Sequence, residues 1–145
     1  MHEITNRTPT VALDVHKDSV RLCAIRADEI LDERTLPYDH EKIGLTLKQW
    51  PGVRACYEAG PTGYGLARHL RATGIDCEVI APGLVPRRAG DRVKTDSRDA
   101  RKLAHLHDVG LLVAVEIPEP EIEAARDLVR AREDARLDRM RSRCQ

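Results

Sequence analysis

Phenylalanine is absent from this chain of 145 residues, and only one Trp and three Tyr are present. The core must therefore be aliphatic, drawn from Val, Leu, Ile and Ala within an apolar fraction of 41%. No apolar run approaches the ~20 residues of a membrane-spanning helix, and Met1–Arg7 lacks the apolar centre of a signal peptide. No membrane partner is expected, and the chain reads as reduced and cytoplasmic. The four cysteines form no C-x-x-C pair and no zinc-like spacing with the six histidines. Cys23, Cys56 and Cys77 fall in predicted strands, where a buried thiol behaves as a small apolar side chain. Net charge is missing as well, because 24 basic residues balance 24 acidic ones. That excludes coating of nucleic acid through global charge but leaves room for a local basic groove.

A chain of this length is ordinarily one domain that buries roughly 70% of its extended surface. Residues 10 to 36 alternate as three short strands joined by tight turns at Lys17-Asp18 and near Asp28. Asp39 is placed to cap a helix whose Ile43, Leu47 and Trp50 share a face, with Pro51-Gly52 stopping it. A strand Val53–Glu58, a helix through Tyr64, Ala67 and Leu70 ending at Gly74, and a strand Asp76–Ala81 follow. Pro82 to Lys94 carries Gly83, Pro86 and Gly90 without periodicity and reads as a loop. The next helix sets Ala100, Leu103 and Leu106 on one stripe and stops near Gly110. The order β-β-β-α-β-α-β with a later helix fits an RNase H-like α/β domain with a mixed five-stranded sheet and flanking helices. After Pro118 there is a long helix, Glu121 to Gln145, free of interior Gly and Pro. Ile122, Ala125, Val129 and Arg132 follow a 3-4-3 spacing along it, which suits a helical partner and the start of a coiled coil.

Four acids stand out against this layout. Asp14 interrupts the apolar strand Val11-Ala12-Leu13-Asp14-Val15, and burying a lone carboxylate there costs several kcal/mol. Glu58 closes its strand before the turn Ala59-Gly60-Pro61-Thr62-Gly63. Asp96 and Asp99 are three apart at a helix start, on one face and at the positive end of the helix dipole. Their stripe continues that of Ala100, so the helix would deliver both to the rim of the sheet. Hard cations such as Mg²⁺ take oxygen ligands, and two such ions can serve the attacking and leaving oxygens of a phosphodiester. Plainer readings stand beside this one. Asp14 could face solvent on an edge strand, Glu58 could accept bonds from its turn, Asp96 could only start a helix, and Asp99 could pair with Lys102 or Arg98. His16, His105 and His107 are read as structural or surface residues, since carboxylates and Mg²⁺ need no imidazole.

Arg87, Arg88, Arg92, Lys94, Arg98, Arg101 and Lys102 form a basic cluster around that helix start, offset only by Asp91, Asp96 and Asp99. Beside a metal site it would hold phosphates, which position a nucleic acid without reading its sequence; the alternative is a solvated loop. The seven Arg between Arg126 and Arg143 interleave with acids, which reads as a salt-bridged, solvated helix.

Three strings carry a family resemblance. Leu13-Asp14-Val15-His16-Lys17, Tyr57-Glu58-Ala59-Gly60-Pro61-Thr62-Gly63-Tyr64 and Lys94-Thr95-Asp96-Ser97-Arg98-Asp99-Ala100 resemble blocks of the DEDD transposases of bacterial insertion sequences. These are related to the pilin-gene invertases, and their N-terminal domain is similar to the RuvC Holliday-junction resolvases. The resemblance runs from about Thr10 through Arg126–Asp134. It implies a RuvC-like fold, with Asp14, Glu58, Asp96 and Asp99 as catalytic, metal-holding acids. It implies Mg²⁺, with Mn²⁺ able to substitute, and DNA transposition and recombination as the activity. DNA and a guide (bridge) RNA are the implied nucleic-acid partners. Family members also carry a C-terminal domain with a serine nucleophile, and none of Ser19, Ser97 and Ser142 sits in a matching context. The expected organisation is a flexible 1–9, a RuvC-like domain at 10–117, and a truncated helical segment at 118–145 that pairs with another copy or with an intact transposase. Such a piece is expected to be inactive in full transposition. The rival readings are a self-sufficient RuvC-like Mg²⁺ nuclease and a non-catalytic binding or regulatory module.

Overall fold

Alternation of Val11, Leu13 and Val15 with Ala12 and Asp14 makes β1 (Thr10–Val15), the central strand of the sheet. The computed structural model describes residues 7–86 and 96–143, with the backbone alone for 96–98. β2 (Ser19–Arg26) returns antiparallel to β1, and β3 (Glu29–Pro37) antiparallel to β2. The link between them, Ala27–Asp28, has both residues at positive φ, 48° and 68°. That is the mirror-image turn whose twist matches paired strands.

Two further strands lie parallel on the other side of β1: β4 (Arg54–Glu58) and β5 (Asp76–Ile80), giving the order β3-β2-β1-β4-β5. Parallel neighbours need crossovers, which α1 (His40–Leu47) and α2 (Gly65–Ala72) supply. Asp39 caps α1 by accepting from the Lys42 N–H at 3.0 Å. The helix ends at Leu47 rather than running to Trp50, because Gln49 and Trp50 donate to the carbonyls of Thr46 and Leu47 three residues back, tightening the last turn.

A thirteen-residue helix, α3 (Asp96–Asp108), lies against the sheet. Its Ala100, Leu103 and Ala104 share an aliphatic core cluster with Ala12, Cys23, Ile25, Cys56 and Ile80. The buried stripe is 100-103-104-107, not 100-103-106, and Leu106 is only half-buried. Steps of three residues drift about 60° from a helix face each time, whereas alternating threes and fours hold it. The opposite sheet face carries Leu13, Leu22 and Tyr57. Tyr57 there accepts from the Ala67 N–H of α2 at 3.3 Å and donates to the Gly63 carbonyl at 3.0 Å.

Beyond α3, Ala81 donates to the Val113 carbonyl (2.9 Å) and Val115 to that of Val79 (2.8 Å), with an antiparallel bridge at Ile80–Ala114 covering the β5 edge. The sequence hides this contact, because Leu111–Val115 has no polar residue to mark an alternation.

The chain divides into two compact units, 1–115 and 116–145. The second holds α4 (Pro120–Arg143), which opens on Pro as helix starts permit and buries no residue. Acids in its first turn and Arg141 and Arg143 in its last oppose the dipole. Asp127–Arg130, Glu133–Arg136 and Asp138–Arg141 are ion pairs at i, i+3 spacing, the salt-bridged surface that the interleaved charges implied. Among the described residues no helix is long and apolar enough to cross a membrane.

Candidate carboxylate site

Register decides where the first two acids lie. Ala12 pairs with Cys56 and Leu13 with Tyr57 across the parallel β1–β4 ladder. One step further sets Asp14 abreast of Glu58 at the C-terminal ends of both strands. Side chains alternate along a strand, so Asp14 follows Ala12 and Glu58 follows Cys56 to the face that α3 covers. Glu58 is exposed, and Asp14 retains 24% side-chain exposure. The edge-strand alternative for Asp14 is thus removed, because β1 has neighbours on both sides.

The direction of α3 is set at its far end. Asp108, whose side chain is 7% exposed, accepts from Thr10 Oγ1 at 2.9 Å and from Arg54 Nη2 at 3.4 Å. This ties the last residue of α3 to the first residue of β1, so helix and strand run antiparallel. From Asp108 back to Asp99 is about 13.5 Å of helix rise. From Thr10 forward to Asp14 is about 13 Å of strand. The two lengths agree, so a helix lying along β1 would set the backbone of Asp99 level with Asp14 and start at Asp96 about 4.5 Å beyond.

Among the described residues no three His, Cys, Asp or Glu side chains close into a metal-holding group. The side chain of Asp96 lies outside them, and Asp99 is exposed. What the fold does bring together is the carboxylate-bearing ends of β1 and β4.

Of the basic cluster, Arg87, Arg88, Arg92 and Lys94 lie outside the described residues, as does the side chain of Arg98. Arg101 is engaged within the fold. Its Nε and Nη2 both donate to Glu33 on β3, the latter at 2.6 Å, and the pair holds the Glu33 carboxyl below its ordinary range. Lys102 is half-buried.

The histidines set aside in the sequence take distinct places. His16 Nε2 donates to Asp14 Oδ2 at 3.1 Å, directly at the candidate site. His105 bonds Asp28 at 3.1 Å, and His107, buried, bonds Glu78 at 3.0 Å. Burial pushes the Cys23 thiol up to about 11 and Cys77 up to about 12, with Cys56 raised well above its ordinary value. All three stay protonated and apolar at neutral pH, consistent with a structural role.

One residue near the acids was missed. Arg21 lies directly across the β1–β2 ladder from Asp14. The hairpin turn at Lys17-Asp18 contained the signal, since a register of Val15 with Val20 also pairs 14 with 21.

Comparisons with known proteins bear on this arrangement. A family model described as Transposase, the DEDD type of insertion sequence IS110, matches residues 11–145. The transposase for insertion sequence element IS1533 of Leptospira borgpetersenii is 39% identical over 140 residues, 92% of this chain and 40% of that protein. A transposase candidate of Sinorhizobium fredii, y4qE, is 60% identical over 83 residues, 57% of this chain and 21% of that protein. The chain thus spans about two fifths and one fifth of the lengths of these relatives. Among solved structures, T. thermophilus RuvC in complex with a Holliday junction substrate matches 75% of this chain and 100% of its own, with a TM-score of 0.51 at 9% identity. At that identity the likeness is one of fold, and it agrees with the central β1 and the order β3-β2-β1-β4-β5. With a RuvC-like fold and a family match that runs from the second residue of β1 to the end of the chain, this protein belongs to the IS110-type DEDD transposases.

Proposed function

We propose that this chain is the metal-dependent part of an insertion-sequence transposase, acting on DNA in transposition and site-specific recombination. Asp14, Glu58, Asp96 and Asp99 are its acidic set. The observation that carries this reading is the parallel β1–β4 register, which runs Asp14 and Glu58 to the same end of a RuvC-like sheet, in a chain of this family. The donor set fits a hard divalent cation, because carboxylate oxygens are the ligands Mg²⁺ prefers and Mn²⁺ accepts. Such an ion, when bound, would polarise a phosphodiester oxygen and activate the attacking one. The chain's own share is to fix geometry. β1 and β4 hold two carboxylates on a rigid support, His16 steadies Asp14, and α3 brings the remaining acids down on the rim. The basic segment Arg87, Arg88, Arg92, Lys94, Arg98, Arg101 and Lys102 holds phosphates beside it, with Arg101 partly committed to Glu33. DNA and a guide RNA are the proposed nucleic-acid partners, and a second copy or an intact transposase is the proposed partner of α4.

Thermal melting with Mg²⁺ or Mn²⁺ tests the acidic set. A ligand that binds the folded state alone raises Tm by mass action. The parent chain should show a rise that the double variant Asp14→Asn/Asp99→Asn loses while keeping the parental fold by circular dichroism. An equal rise in both removes the acids from the site. Incubation of the chain with branched DNA and Mg²⁺ then separates nuclease activity of this unit from a purely binding role.

A further inference from the structure

We propose that Arg21 is a phosphate-binding residue of the carboxylate site, taking a backbone oxygen of the DNA strand that lies over Asp14 and Glu58. The inference rests on the reading of that site as one that acts on nucleic acid, and it adds a residue on β2 that the basic segment does not include.

Position comes first. Arg21 and Asp14 are direct cross-strand partners, so their Cβ atoms are about 5 Å apart. Cys23, two residues along β2, is in the cluster under α3, so Arg21 shares that face with Asp14. One row across the sheet therefore reads Thr35, Arg21, Asp14, Glu58. It is a hydroxyl, a guanidinium and two carboxylates at one end of the sheet, on the face that α3 covers.

Among the described residues the hydrogen bonding of Arg21 is incomplete: its Nη1 donates to Thr35 Oγ1 at a long 3.4 Å, while its Nε is buried with no acceptor among them. The carboxylate on the neighbouring strand, Glu33, is already held through both oxygens by Arg101. Asp14 accepts from His16. A buried donor without a partner is destabilising, so this guanidinium gains from any acceptor that reaches it. Arg26, whose buried Nε also has no partner among the described residues, is at the other end of β2 and away from the acids.

Charge then selects the acceptor. A divalent cation on Asp14 would repel the guanidinium beside it. An anion that touches both relieves the repulsion, and a phosphodiester oxygen is the anion such a site receives. The planar guanidinium fork matches phosphate in a way that a lysine ammonium does not. A merely structural Arg21 would instead stand in for the cation, screening Asp14 when no metal is bound. The two roles predict opposite effects of its removal. A stand-in leaves DNA affinity in Mg²⁺ untouched and strengthens metal binding when deleted, whereas a phosphate ligand weakens DNA binding.

The test uses the full chain, Mg²⁺ and a fluorescent DNA duplex, with Kd read from anisotropy across a salt series. Arg21→Gln should weaken binding about tenfold and reduce the salt slope by about one, and Arg21→Lys should fall between it and the parent. In parallel, the Arg21 Nε–Hε signal, assigned by its disappearance in Arg21→Lys, should shift when duplex is added to the parent. That readout does not depend on Arg21→Gln folding. Parental affinity in Arg21→Gln, or an Nε signal that duplex leaves unmoved, overturns the role of Arg21 alone. If the parent itself binds no duplex while Mg²⁺ still raises its Tm, the nucleic-acid reading falls with it. An absent Mg²⁺ response, by contrast, strikes the acidic set and not Arg21.

Discussion

His40 and His69 meet between α1 and α2 with ring centroids 5.7 Å apart, and His40 shares a 3.2 Å hydrogen bond with the Tyr38 hydroxyl. Burial, and then the neighbouring His69, hold His40 below its ordinary value of 6.5, with Asp39 opposing them. A histidine depressed in the folded state makes the unfolded chain bind more protons once pH falls below the ordinary value. Its stabilising contribution is therefore complete above that value and is lost on acidification, until the lower folded value is reached. Melting curves below about pH 6.5 should show this loss. His40→Asn should flatten that part of the profile, and His69→Asn should raise the His40 midpoint seen by NMR. A His40 midpoint at or above its ordinary value would remove the effect. This pair could not be read from the sequence, because 29 positions separate its members and neither lies in a motif.

Two glycines face the histidines across that seam. Gly44 on α1 lies under His69, where an added Cβ would be 3.6 Å from Nε2, and Gly65 on α2 lies under His40, where a Cβ would be 3.3 Å from Cε1. Gly44→Ala meets only ordinary contact inside a helix and should stabilise the chain by about 0.5–1 kcal/mol. Gly65→Ala should gain less or lose, since His40 must yield by a few tenths of an ångström. Denaturant midpoints measure both, and a destabilised Gly44→Ala would show that the seam is tighter than described. α3 depends on its far end instead. Asp108→Asn weakens the bonds to Thr10 and Arg54 and should cost about 1–3 kcal/mol. It should also reduce the Mg²⁺-dependent rise in Tm, because in the proposed site Asp108 fixes where along β1 the helix that carries Asp99 sits. A full Mg²⁺ response in a destabilised Asp108→Asn would mean that the acids hold α3 in place unaided.

For the molecule as a whole, the α/β unit and α4 obey different energetics. Buried Val, Leu, Ile and Ala stabilise the first. α4 buries nothing among the described residues, and Ile122 and Val129 remain 49% and 67% exposed on it. A lone helix with so thin an apolar stripe depends on its i, i+3 ion pairs, which are individually weak. Deleting residues after Pro120 should leave the Tm of the α/β unit unchanged. Sedimentation should show concentration-dependent association in the full chain and none in the shortened one. Monomeric behaviour in both would remove the proposed pairing of α4.

The sequence by itself determined the elements and their order. Two-residue alternation, Asp39 as a cap and Gly or Pro at the breaks are local signals, and each produced its strand or helix within a few residues. It also singled out Asp14 and Glu58, since an acid within or closing an apolar strand is conspicuous. Only the tertiary structure decided what stands around them. The Asp108–Thr10 bond joins positions 98 apart in sequence, and Arg101 was claimed by Glu33, 68 positions away. The reason is that hydrophobic patterning specifies which face a residue occupies but not which partner it meets there. Partners are chosen by strand register and by the axial position of a helix, and both are settled only when the layers pack.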